Sequence, residues 1–368
     1  MKELVIIIDG CGPEYLRGSD MHTLEQLNRE CPANHLSAIV PTVTNVNCAS
    51  IVTGNYPDVH GVCGNFWRNP DSGLDQYVEA PELLRCPTVF EIIKSRGCST
   101  ALLTVKEKLR TLLNRGVDFS MSVEQPAKIV MDGIGAPPPV YSIEANYWLM
   151  QASTELIRQG MSFDLVFIFT SDYPMHMFSP EDEQAQEYLH QLDALLGQAL
   201  ETMPSNTKLI ATADHGMNLK VCAINPAKVL ARENIEADVV PIIKDRYVVH
   251  HANLGGSVYL YLQDESLVLK AAEILRKHPR IELVLTRKEA ATKFHLLPER
   301  IGDLLILGDK HTVFGDGDQE EQEVNIRSHG SLYEQQVPLF TYGVDKRSKT
   351  LLENKDILHL LIEDWEVN

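Results

Sequence analysis

The feature that most constrains this chain is a recurrence. Short apolar runs that end abruptly in polar turn residues alternate with stretches of helical periodicity. Residues 4–8 run into Asp9-Gly10, and residues 100–105 into Lys106-Glu107-Lys108. Residues 164–169 run into Thr170-Ser171-Asp172, and residues 208–212 into Ala213-Asp214-His215-Gly216. A short run without polar alternation marks a strand buried on both faces, the condition of a parallel sheet. Residues 36–40 predict a further strand. Residues 21–30, 87–95 and 143–159 predict helices. Leu189, Leu192, Leu196, Ala199 and Met203 recur at spacings of three and four, the apolar stripe of an amphipathic helix. The alternation predicts an α/β fold, a mostly parallel central sheet with helices on both faces. Ligands of such sheets bind beyond the carboxyl ends of the strands. Asp9, Lys106, Lys108, Asp172, Asp214 and His215 are therefore expected on one rim.

The pattern changes after Val221. A strand at 257–262, a helix at 265–277 and strands near 281–285 and 303–307 predict a small α+β unit. The expected organisation is an α/β core of residues 1–219 and 326–368, interrupted by an α+β cap insert of residues 220–325 lying over the rim. Residues 133–139 and the acidic residues 316–323 read as loops. A strand at 337–342 and a helix at 355–363 close the core.

The net charge of −18 argues against nucleic acid and anionic membranes as partners. It leaves room for a small anionic substrate, because a bound metal reverses the local sign. Seven cysteines without a C-x-x-C pair fit a reducing compartment. The opening M-K-E-L-V-I-I-I-D-G reaches Asp9 too soon for a signal peptide. A soluble, cytoplasmic protein is expected, and a homodimer is left open.

The candidate chemistry begins in the stretch P-T-V-T-N-V-N-C-A-S-I-V-T-G-N-Y-P-D-V-H-G-V-C-G-N, residues 41–65. Thr44 stands just before an apolar helix start, where unpaired backbone N–H groups favour an anion. Alone, Thr44 reads as a helix cap. Asp172 and His176 are spaced to face one ion, and the adjacent Asp214 and His215 can share an ion with each other or bridge toward a second. His329, between Ser328 and Gly330, is free to project. Singly, each has an ordinary reading as a cap, a core histidine or a surface residue. Together with Asp9 and Thr44 they make a set of N and O ligands that suits two zinc ions sharing a substrate. Two divalent ions would also activate a threonine hydroxyl as nucleophile. Asn65 can donate a hydrogen bond to a phosphoryl oxygen, or is a turn residue. His250 and His251 read as structural, and His60 as holding its turn. Cys48 and Cys63 read as packing residues, and Asp303, Asp309, Asp316 and Asp318 as solvated.

D-G-C-G-P-E-Y, P-T-V-T-N with I-V-T-G, V-H-G-V-C-G-N, S-D-Y-P-M-H, A-D-H-G and R-S-H-G resemble the alkaline phosphatase superfamily. They are most similar to its nucleotide pyrophosphatase/phosphodiesterase-like branch. T-V-K-E-K-L-R, K-D-R-Y-V-V-H-H-A-N-L-G-G and H-G-S-L-Y-E-Q resemble the phosphonoacetate hydrolases within that branch. The resemblance implies an alkaline-phosphatase-like fold and two zinc ions. It implies one zinc on Asp172, His176 and His329, and the other on Asp9, Asp214 and His215, with Thr44 as ligand and nucleophile. It further implies that Asn65 contacts the phosphoryl group and that Lys106 and Lys108 receive a substrate carboxylate. The implied reaction is hydrolysis of the C–P bond of phosphonoacetate through a phosphothreonine. The alternative is a phosphodiesterase or phosphomonoesterase on the same scaffold. A metal-stabilised binder without turnover would have no use for Thr44.

Overall fold

The structure is a computed structural model and describes residues 2–30, 34–246, 251–344 and 352–362. β1 (Glu3–Ile7) is buried along its whole length, as an unbroken apolar run must be at the centre of a sheet. It lies between β7 (Leu165–Phe169) and β8 (Lys208–Thr212), parallel to both, with Ile7 level with Phe169 and Thr212. β5 (Thr100–Thr104) continues the parallel array beyond β7, and β6 (Phe119–Ser122) beyond β5. On the other side β16 (Gln336–Tyr342) runs antiparallel to β8 and to the edge strand β2 (Asn34–Ser37). The sheet order is β2-β16-β8-β1-β7-β5-β6. The mostly parallel α/β architecture predicted from the alternation is therefore present.

The helices that matter to the rim are tied to its loops. The helix Ile143–Arg158 is capped by the Ser142 hydroxyl, which accepts the Ala145 amide. Its buried Asn146 donates to the Ser171 carbonyl at 3.1 Å and accepts the Ser171 amide at 2.7 Å, clamping the loop beyond β7. The helix Glu183–Thr202 buries Leu189, Leu192, Leu196 and Ala199, the predicted stripe.

Two local expectations differ. The strand predicted at 36–40 ends at Ser37, because the Ile39 amide donates to the Asn47 side chain at 2.7 Å. The loop predicted at 133–139 starts later, after a helix at Lys128–Ile134.

Beyond β8 the chain builds smaller sheets. β9 (Asn218–Ile224) lies between β14 (Thr312–Phe314) and β15 (Glu321–Ser328). Residues 321–323 of the expected acidic loop are strand, because pairing with β9 supplies the ladder while their side chains stay exposed. A four-stranded antiparallel sheet has the order β10 (Ala237–Pro241), β11 (Ser257–Leu262), β13 (Leu304–Gly308), β12 (Ile281–Thr286). It has its own apolar cluster, including Leu260, Leu275 and Ile306. Asp303 is not solvated as expected: it accepts the Leu262 amide at 2.8 Å and pairs with Arg287 at 2.9 Å. A hairpin of β3 (Phe66–Arg68) and β4 (Asp75–Tyr77) follows the Thr44 segment. The four-stranded sheet is stitched to the rim. The Gly256 amide donates to the His329 carbonyl at 2.7 Å, and the Ser257 hydroxyl to the Gly330 carbonyl at 2.6 Å. Among the described residues, no helix is long and apolar enough to cross a membrane.

Candidate active site

Parallel register delivers the site. Asp9, Lys106 and Asp214 each follow the last residue of β1, β5 and β8 by two positions, and Asp172 follows β7 by three. Asp9 can turn inward because Gly10 takes φ 75°, a left-handed conformation that suits glycine. A Cβ there would also lie 3.2 Å from that of Asp172. Asp172 precedes the short helix Tyr173–Met177, so Asp172 and His176 face one way one turn apart.

The helix Thr44–Thr53 is buried throughout, and Val43 occupies its N-cap position. Thr44 is thus the first helical residue and not a cap. Its hydroxyl lies 3.3 Å from His215 Nε2. The Asn45 amide donates to Asn65 Oδ1 at 2.9 Å, which leaves the Asn65 NH₂ as the donor end.

The carboxylates and imidazoles fall into two buried groups, Asp172 with His176 and His329, and Asp9 with Asp214 and His215. Within each group one ligand atom per residue lies within 4.8 Å of the others. His176 Nε2 is 3.0 Å and His329 Nε2 3.7 Å from Asp172 Oδ2. His215 Nε2 is 3.4 Å from both Asp9 and Asp214. The His215 and His329 rings stack at 3.7 Å and join the groups.

The tautomers follow from the other ring nitrogen. Nδ1–H of His176 donates to the Arg327 carbonyl at 2.6 Å, that of His329 to the Thr42 carbonyl at 2.8 Å, and that of His215 to the Gly216 carbonyl at 3.0 Å. A carbonyl only accepts, so in the neutral ring each Nε2 keeps its lone pair for the site. Burial, then the His215 and His176 rings, push the His329 pKa well down, which keeps it neutral.

This donor set fits divalent cations. Burial raises the pKa of Asp9 and of Asp214, and neighbouring carboxylates add to it: Asp172 and Asp214 at Asp9, Asp172 at Asp214. Among the described residues, Asp9 Oδ1 is buried without a hydrogen-bond partner, as a metal-directed oxygen would be. Three crowded carboxylates and three imidazole lone pairs need positive charge between them.

Lys106 Nζ donates to Asp172 Oδ1 and Lys108 Nζ to Asp245 Oδ2, each at 2.7 Å. Burial alone would lower the Lys106 pKa, but Asp172 and Asp9 hold it above its ordinary value. Both lysines share a narrow cavity with Thr44, Asn65, Asp172 and His329. It adjoins a wider cavity of about 240 Å³ walled by Lys106, Lys108, Tyr141 and Asp245. Asp245 and His251 were not among the expected site residues. The signal was present in the K-D-R-Y-V-V-H-H segment, but nothing local tells a wall residue from a packing one. His250 lies outside the described residues. His60 holds its turn as expected, with Nε2 2.9 Å from the Ser50 hydroxyl. Cys48 packs beside Asp214, and burial followed by that carboxylate pushes its thiol up.

The sequence pattern of the type I phosphodiesterase/nucleotide pyrophosphatase family matches residues 4–332. The chain belongs to this family. Phosphonoacetate hydrolase from Sinorhizobium meliloti 1021, solved with phosphonoacetate and with phosphonoformate, superposes with a TM-score of 0.89 at 28% identity, over 98% of this chain and 95% of that one. The likeness identifies the alkaline-phosphatase-like fold. Murine ectonucleotide pyrophosphatase/phosphodiesterase 5 shares the fold, with a TM-score of 0.74 at 15% identity, over 100% of this chain and 96% of that one. An uncharacterised pyrophosphatase/phosphodiesterase of Schizosaccharomyces pombe is 21% identical over 58% of this chain and 44% of its own length. An ectonucleotide pyrophosphatase/phosphodiesterase of Caenorhabditis elegans is 23% identical over 90% of this chain and 41% of its own length. The chain thus spans less than half the length of these two curated relatives.

Proposed function

We propose that this protein hydrolyses the C–P bond of phosphonoacetate to acetate and phosphate in the cytoplasm, using two zinc ions. The observation that carries the reading is one narrow cavity that joins Thr44 and the ligand-type residues to two lysine ammonium groups. The likeness to the Sinorhizobium hydrolase supports the same substrate. Asp172, His176 and His329 would hold one zinc, and Asp9, Asp214, His215 and Thr44 the other. When bound, the ions supply Lewis acidity toward the phosphoryl oxygens and lower the pKa of the Thr44 hydroxyl.

Thr44 gives its hydroxyl proton to solvent and its Oγ1 attacks phosphorus, the O–P bond forming as the C–P bond breaks. The electron pair passes to the methylene carbon and spreads into the adjacent carboxylate as an enediolate, which takes a proton from water to give acetate. Lys106 and Lys108 receive that carboxylate. Its charge grows in the transition state, so they stabilise that state more than bound substrate. The Asn65 NH₂ donates to a phosphoryl oxygen. Water then attacks the phosphothreonine, phosphate leaves, and Thr44 recovers its proton. Residues 220–325 act as the cap, contributing Asp245 and His251 to the cavity wall and restricting water.

Family membership favours a second reading, phosphodiester or phosphomonoester hydrolysis at the same centre. Phosphate release from phosphonoacetate, beside release of nitrophenol from a nitrophenyl phosphodiester and monoester, decides between them. A kcat/KM for phosphonoacetate below that for the esters would overturn the first reading.

A further inference from the structure

His251 differs from the three ligand-type histidines in one hydrogen bond. Each of those donates Nδ1–H to a backbone carbonyl. At His251, Nδ1 accepts the amide N–H of Asn253 at 2.9 Å. A ring nitrogen that accepts carries no proton, so the neutral ring carries its proton on Nε2. The same bond makes the ring neutral, because a doubly protonated imidazole has no lone pair to accept the Asn253 amide. This tautomer cannot ligate a metal through Nε2. It can donate a hydrogen bond there.

The backbone is held in a costly conformation around this ring. Ala252 and Asn253 have φ of 50° and 57°, consecutive left-handed residues that are not glycine. Such positions persist where surrounding contacts enforce them, and they concentrate at functional sites. Three contacts enforce this one. Asn253 Oδ1 accepts the Asp245 amide at 3.0 Å, the Leu254 amide donates to the His251 carbonyl at 2.9 Å, and the Ser328 hydroxyl donates to the Leu254 carbonyl at 2.6 Å. Asp245 bonds Lys108, and Ser328 adjoins His329, so the loop is anchored to both sides of the site. The His251 ring, 4% exposed, lies 5.7 Å from the His176 ring and lines the cavity with Thr44, Lys106, Asp172 and His329.

We infer that His251 Nε2–H donates to an anionic oxygen of the substrate's phosphoryl group as Thr44 attacks. The inference rests on the Thr44 mechanism above, but not on phosphonoacetate as the substrate. A neutral donor suits the place. It adds no charge beside two cations and two lysines, and its hydrogen bond strengthens as charge builds on the phosphoryl oxygens. A donor used in this way acts on kcat more than on KM. It acts on the group common to every substrate of the site, whereas the lysines act on the carboxylate.

The test compares His251→Phe and His251→Gln with wild type in the zinc-loaded enzyme. The substrates are phosphonoacetate and a nitrophenyl phosphate ester. His251→Phe should lower kcat by roughly 10²–10³-fold on every substrate the wild type turns over, the loss typical of one oxyanion donor. KM should stay within about threefold, the mark of an interaction made mainly in the transition state. Zinc content should be unchanged, and His251→Gln, which keeps an N–H donor, should recover part of the rate. A kcat near wild type, a loss confined to phosphonoacetate, or zinc lost in parallel with activity would each overturn the inference. If wild type cuts only the ester, the phosphonoacetate reading fails, and His251 is judged on the ester. If His251→Phe does not fold, ¹⁵N-resolved spectra of the wild-type imidazoles decide. The Nε2–H tautomer is expected at His251, with its proton moving downfield when vanadate fills the phosphoryl site. An Nδ1–H tautomer, or no response to vanadate, overturns it.

Discussion

Replacing Lys108 by alanine is the sharpest test of substrate choice, because the two lysines are not equivalent. Lys106 keeps 10% of its side chain exposed and bonds Asp172, a candidate metal ligand. Removing it would disturb the substrate and the metal together. Lys108 keeps 20% exposed and bonds Asp245, which is not among the candidate ligands. An arriving carboxylate would replace Asp245 on Lys108, exchanging one charge-assisted bond for another, so little ground-state affinity is gained. The gain comes as the departing carbon's charge flows into the carboxylate. Losing such a donor costs roughly 2–4 kcal/mol of transition-state stabilisation in a dry site. Partial exposure of Lys108 puts the loss near the lower end, about thirtyfold to a hundredfold in kcat/KM. The assay is steady-state phosphate release from phosphonoacetate beside nitrophenol release from a nitrophenyl phosphate ester, with wild type, Lys108→Ala and Lys106→Ala. Lys108→Ala should lose phosphonoacetate turnover and keep the ester, while Lys106→Ala should lose both. Equal losses on both substrates in Lys108→Ala would refute the reasoning, because the lysine would then serve the phosphoryl group or the fold.

Thr44→Ala should abolish turnover in a folded, zinc-binding protein. Thr42→Ala should keep most activity but cost about 1–3 kcal/mol of stability, because the Thr42 hydroxyl bonds the Ser331 carbonyl at 2.8 Å and the Gly330 amide at 3.0 Å; the reverse pattern would move the nucleophile to Thr42. Elemental analysis of the replete protein should find two zinc ions per chain, and Asp214→Ala should reduce both that content and activity. Asp9 and Asp214 have raised pKa values in the folded chain, so their protonated forms favour folding. That contribution is complete below the ordinary carboxylate range, near pH 4, and fades as pH rises through the raised values. The rise in Tm on adding zinc should therefore be larger at pH 7.5 than at pH 5.5, and an equal rise at both would count against the shared site. Lys220 pairs with Glu334 at 2.9 Å with both side chains fully buried. Lys220→Met should cost about 3–5 kcal/mol by leaving that carboxylate unpaired, and Lys220→Met with Glu334→Leu should recover much of the loss in a denaturant titration.

The central sheet was legible because its signal is local. An apolar run such as Leu165–Phe169 reports burial on both faces from its own composition. Where the run stops, the chain leaves the sheet, so Asp9, Asp172 and Asp214 were placed at strand ends without knowledge of any neighbour. The weaker elements were illegible for the converse reason. The strand at 321–323 has exposed acidic side chains, and only its pairing with β9 makes it a strand. The early stop of β2 depends on the Asn47 side chain taking an amide that a continued strand would use.

By itself the sequence determined which residues could bind metal, which hydroxyl stood beside them, and that one rim would collect them. These follow from side-chain chemistry and from hydrophobic runs a few residues long. Only the tertiary structure decided how those residues are used. It gathered the candidate ligands into the two groups that the resemblance implied, through parallel register between β1, β7 and β8. It set the His176 tautomer through a carbonyl 151 positions away, and brought Asp245 to Lys108 across 137 positions. It also distinguished His251, whose Nδ1 accepts, from three histidines whose Nδ1 donates. A hydrogen bond between distant segments has no local signature, because its energy depends on where the rest of the chain carries each partner.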